Sequence, residues 1–70
     1  MAVYFGDVEE GCLVMVKQDF GMGRTVLAKV DAVLDNVKNG RPGIDYIEMD
    51  TGNLKWAYAD QIVKLVAWSA

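Results

Sequence analysis

Seventy residues with one cysteine and no histidine leave room for one small domain, and they exclude an internal disulfide and a zinc ligand set. Ten acidic against seven basic residues, a formal net charge of −3, give little electrostatic drive towards nucleic-acid phosphates. No apolar run approaches the ~20 residues of a membrane-spanning helix and no leader segment opens the chain, so the expected setting is the cytoplasm, where a reduced, buried Cys12 fits.

In chain order, Met1 to Phe5 is apolar and reads as a short edge strand, followed by a polar loop from Gly6 to Gly11. The three carboxylates of that loop suit a solvated turn better than a calcium site, which needs about six to eight oxygens. Cys12 to Lys17 is the first clear strand. Cys12, Val14 and Val16 fall on one face; Leu13 and Met15 make the other largely apolar too, as in a strand covered on both sides or facing a partner. Gln18 to Arg24 is a loop, because Gly21 and Gly23 bracket Met22. No helix follows these glycines, so they make no phosphate-binding fingerprint.

Thr25 to Leu34 alternates, with Val26, Ala28, Val30, Ala32 and Leu34 on one face, and the β-branched valines favour a strand over a helix. Asn36 to Gly43 holds Asn-Gly and a proline, the strongest turn signal in the chain, and is expected to form an exposed loop tip. Ile44 to Asp50 is a third strand with Ile47 and Met49 facing one way. Asp50 to Asn53 is a hairpin turn and Leu54 to Tyr58 a fourth strand. Ala59 to Gln61 has room only for a single 3₁₀ turn before a short strand from Val63 to Val66, and the remainder is a tail. The expected core is Val14, Val16, Val26, Ala28, Val30, Ile47, Ile62 and Leu65, with Met15, Met49 and one of Trp56 or Tyr58 as filler.

Short strands at close spacing imply an all-β sandwich or barrel. The layout resembles the five-stranded SH3-like barrels, which end in a single helical turn and a short last strand. Gly11–Lys17 and Thr25–Val30 look like the first two strands of Tudor, KOW and integrase C-terminal barrels. Ile47–Asn53 with Asp60–Leu65 is similar to the Tudor hairpin and its closing strand. The likeness covers roughly 11–66 of a single domain spanning 1–70, and it is one of layout. Tudor hairpins carry an aromatic where Thr51 stands, and no residues match an aromatic methyl-lysine cage one by one, although Phe20, Tyr46, Trp56 and Tyr58 could supply walls.

The residues offer no catalytic set. Asp45 and Glu48 are an odd number of positions apart, so they point to opposite faces of a strand, and they read with Asp50 as solvated charges. The expected role is that of a small binding module without cofactor, acting through a protein partner or self-association, as an accessory or regulatory factor of the kind phages and mobile elements carry. Its contact residues are Phe20, Met22, Arg24, Tyr46, Trp56 and Tyr58. Phe20 and Met22 could instead fold back as a lid over the barrel end. The rival role is nucleic-acid binding, as the KOW and integrase likeness implies, through Lys17, Arg24, Lys38, Arg41 and Lys55; it requires these side chains on one face. A third is a ligand or catalytic site formed only in an oligomer. Trp56 is core if Leu54, Trp56 and Tyr58 point inward, and a contact residue if Ala57 does.

Overall fold

A computed structural model describes residues 3–68. Its strands are β1 (Leu13–Lys17), β2 (Thr25–Lys38), β3 (Arg41–Glu48), β4 (Leu54–Tyr58) and β5 (Ile62–Ala67). They make one antiparallel sheet in the order β4-β3-β2-β1-β5. The 3₁₀ turn expected before the last strand spans Ala59–Gln61. The ladder does not close into a barrel, because β4 and β5 remain the two edges. Side chains instead tie the end of β4 to β1 and the turn after β1 to β3. Gln61 accepts from the Tyr58 backbone N–H (2.8 Å) and donates to the Lys17 carbonyl (3.0 Å), while Gln18 donates to the Tyr46 hydroxyl (3.0 Å).

The period-2 pattern of β1 and of the first half of β2 places Cys12, Val14, Val16, Val26, Ala28 and Val30 inside, where they meet Val8, Ile44, Tyr46, Ala57 and Ile62. Each fully buried valine or isoleucine contributes roughly 1.5–3 kcal/mol. Leu65 is only partly buried against this cluster.

Three expectations are corrected. Val3 and Tyr4 form no strand; the segment turns through a 3₁₀ turn at Phe5–Asp7, and Met1 and Ala2 lie outside the described residues. The Asn36–Gly43 loop shrinks to a tight hairpin. Only Asn39 and Gly40 separate β2 from β3, both with positive φ (57° and 73°), and the Asn36 side chain accepts from the Gly40 N–H (2.9 Å). Alternation of burial in β2 runs on through Ala32 and Leu34, both half-buried between exposed Asp31, Val33 and Asp35. The register passes from Val30↔Tyr46 to Ala32↔Asp45, so Asp31 is the extra residue of a bulge. The bulge changes which β3 residues Ala32 and Leu34 pair with, while Val33 stays 38% exposed. In β3 the inward set is Ile44, Tyr46 and Glu48, which leaves Ile47 half-buried and Met49 exposed on the other side. That assignment puts two large apolar side chains inside in exchange for one carboxylate, which basic neighbours neutralise. Met15 is likewise only half-buried.

The register Ile44↔Ala57 turns Ala57 inward and Trp56 outward. Among the described residues no helix is long and apolar enough to cross a membrane.

Candidate partner-binding surface

Two clusters form around the β1–β2 turn, and they divide the candidate residues between them. The first is aromatic. Trp56 and Tyr58 share the face of β4 opposite Ala57, and Phe20 reaches them from the turn after β1. Trp56 and Tyr58 meet edge-on at 5.1 Å between centroids, with their planes at 87°. Phe20 stands 5.9 Å from Trp56 at 66° and 6.1 Å from Tyr58 at 39°. These are the offset geometries that the ring quadrupole favours.

Two cations from the ends of the β2–β3 hairpin cover the rings. The Lys38 ammonium lies 5.3 Å from the Trp56 centroid and the Arg41 guanidinium 3.9 Å from that of Tyr58. Arg41 also pairs with Asp60 at 2.9 Å. Asn39, at the hairpin tip, donates to the Tyr58 hydroxyl at 3.1 Å. The hairpin turn is therefore what delivers both cations. Gly43 allows the close approach behind them, since a Cβ there would collide with the Ala57 carbonyl and the Val37 side chain.

Phe20 is held in an unusual way. Gln18–Gly21 makes one helical turn in which Asp19 (φ 52°) and Phe20 (φ 57°) both lie in the left-handed region. A non-glycine residue there costs about 1–2 kcal/mol. The turn is fastened by Gln18 N–H to the Arg24 carbonyl (3.0 Å), Gly23 N–H to the Gln18 carbonyl (2.8 Å) and Lys17 Nζ to the Gly23 carbonyl (3.0 Å). Despite its aromatic contacts Phe20 is 68% exposed. Met22 beyond it is 89% exposed, so it is no lid.

The second cluster surrounds Glu48. This carboxylate is 2% exposed, not solvated as the sequence suggested. Lys55 pairs with it at 2.9 Å, Thr51 donates to it at 3.0 Å and Gln18 at 3.4 Å, and Arg24 stands 3.8 Å away. The hydrogen bond from Lys55 holds the Glu48 carboxyl below its ordinary range, against the opposing effect of burial and with help from Thr51 and Gln18. Glu48 in turn raises the Lys55 ammonium. Arg24 also reaches Asp50 at 3.6 Å. Among the described residues no buried side-chain polar atom is left without a partner.

Of the expected contact residues, the structure brings Phe20, Trp56 and Tyr58 together, but only Phe20 is exposed: Trp56 is half-buried and Tyr58, at 7% exposure, is buried beneath them. Met22 projects alone, and Arg24 is drawn to Glu48 and Asp50. Tyr46 is removed from the surface: at 2% exposure its ring is core and only its hydroxyl meets Gln18. The basic residues do not make one stripe. Lys38 and Arg41 cover the aromatic rings, Arg24 and Lys55 converge on Glu48, and Lys17 is tied to Gly23. Sequence reading missed Gln18, Asn39, Glu48 and Gln61. Each works through a hydrogen bond to a residue distant in space until the chain folds; only the Asn-Gly pair carried a local signal.

No family model matches the chain, and no curated protein and no solved structure matches it.

Proposed function

We propose that this chain is a non-catalytic binding module whose contact surface is the Phe20–Trp56–Tyr58 cluster with its covering Lys38 and Arg41. The observation that carries this reading is Phe20: a large ring kept 68% exposed on two successive left-handed residues. A fold without a use for that ring has no reason to retain such a turn. A protein segment fits the surface best. Phe20 offers an exposed apolar ring beside half-buried Trp56, and Lys38 has no carboxylate partner among the described residues, so an apolar or aromatic side chain beside a carboxylate would satisfy both.

Nucleic acid fits less well. Arg24, Arg41 and Lys55 already face carboxylates, which leaves few cations to neutralise phosphates. The two shifted groups, Glu48 and Lys55, neutralise one another, which suits a structural pair better than an acid–base centre. A buried, unpaired Cys12 accords with a cytoplasmic setting.

Selection of a random peptide library on the immobilised chain tests the proposal. Enrichment of peptides that pair an acidic with an apolar residue, lost in Trp56→Ala and Lys38→Glu, is the expected result. Enrichment that survives both substitutions, or none at all, refutes it. Salt-sensitive binding of a single-stranded oligonucleotide, lost in Lys38→Glu, would give the surface to nucleic acid instead.

A further inference from the structure

The Met22 projection and the hollow beside it are not absorbed by the aromatic surface. Met22 is 89% exposed at the tip of the β1–β2 turn. A depression of about 290 Å³ opens next to it, lined by Arg24, Thr25, Val26, Leu27, Met49 and Asp50. It falls just below the ~300–1,000 Å³ of small-molecule sites, a size for one side chain rather than for a cofactor. Its apolar wall includes Leu27 (38% exposed) and Met49 (49% exposed), which are held side by side because the Met49 N–H donates to the Leu27 carbonyl at 3.0 Å. At its rim Arg24 and Asp50 carry opposite charges 3.6 Å apart. Only Gly23 separates Met22 from Arg24, so projection and hollow lie within about 7 Å of each other along the backbone.

We infer that this patch is a self-association surface whose occupant is a second copy of the same chain, with the Met22 of each copy seated in the hollow of the other. A two-fold contact requires one patch to contain both halves of every complementary pair. This patch holds a projecting apolar side chain and a hollow with one apolar wall and a polar rim, and a cation and an anion that pair with each other in the free chain. Rotation about an axis between two copies therefore places Met22 against the partner copy's hollow, and Arg24 against the partner copy's Asp50, twice over. An unbranched thioether adapts to an irregular hollow better than a branched side chain does. The patch is small, so the dimer is weak and concentration-dependent.

Sedimentation equilibrium of the whole chain, from micromolar to millimolar, tests the inference. The expected result is a mass that rises towards twice the monomer. Met22→Lys should stay monomeric with its melting temperature at low concentration unchanged, because the side chain is exposed in the free chain. Arg24→Asp and Asp50→Arg should each be monomeric alone, and an equimolar mixture should restore the dimer, since both charge pairs reform across the two-fold axis. A wild-type chain that remains monomeric throughout overturns the inference. So does a Met22→Lys chain that dimerises like the wild type, whatever the charge variants do. Neither outcome touches the aromatic surface, which the peptide selection reads separately.

Discussion

Replacing Trp56 with alanine probes the aromatic surface most directly. A fully buried tryptophan costs about 3–5 kcal/mol when cut to alanine. Trp56 is half-buried, which brings that figure to about 2 kcal/mol. The contacts give a similar value from below. Two edge-on ring pairs and one cation at the weak end of their ranges, about 0.5 kcal/mol each, sum to roughly 1.5 kcal/mol. A domain of this size loses about 4–8 °C in melting temperature per kcal/mol, so Trp56→Ala should melt about 8–16 °C lower. Circular dichroism is the suitable signal, because Trp68 would complicate fluorescence. A double-mutant cycle with Phe20→Ala should return a coupling of about 0.5–1.5 kcal/mol. A coupling near zero would show that Phe20 does not rest on Trp56 in solution. A loss above ~4 kcal/mol would make Trp56 an ordinary core residue and end its role in contact.

Urea unfolding of Ile44→Ala and Ile47→Ala checks which face of β3 is inside: Ile44, fully buried, should lose about 2–5 kcal/mol, and Ile47 distinctly less, with the reverse order refuting the register. Asp19→Gly should hold stability constant or raise it by about 1 kcal/mol, because glycine takes a φ of 52° without strain; a clear loss in thermal unfolding would mean that the Asp19 side chain anchors the turn. The Glu48 carboxyl is held below its unfolded value of about 4.3. The stability it contributes is therefore present above that pH and lost as pH falls through the folded value. Lys55 behaves oppositely: its contribution is complete below about 10.4 and fades as pH rises through its raised folded value. Melting temperature against pH should show both limbs, and Glu48→Gln should flatten both; an unchanged acid limb would place its origin elsewhere.

The strands were legible because burial imposes a period of two on β1 and on β2 as far as Asp35. In β2 the alternation holds through Ala32 and Leu34, but nothing in a run of alternating side chains marks the extra residue of the bulge at Asp31. The period-two signal failed where a second requirement competed with it. In β3, Glu48 argued against the inward set because a lone carboxylate does not belong in a core. Lys55 and Arg24, distant in sequence, make that burial acceptable. The 3₁₀ turn was visible because Ala59–Gln61 has no room for more. The aromatic surface was half legible. Phe20, Trp56 and Tyr58 stood out by residue type, but their meeting depends on left-handed angles at Asp19 and Phe20 that no glycine announces.

The unequal spans of the strand pairings carry a kinetic consequence. β2 and β3 are joined by two residues and pair locally, so they can zip on the microsecond scale of isolated hairpins. β1 finds β5 only by bringing Leu13 to Ala67, nearly the whole chain apart. Loop-closure entropy makes that pairing the slow one, and it orders assembly from the middle of the chain outwards. β5 docks last and, by the same logic, leaves first. Amide exchange should accordingly be fastest along Ile62–Ala67 and slowest where β2 and β3 lie side by side.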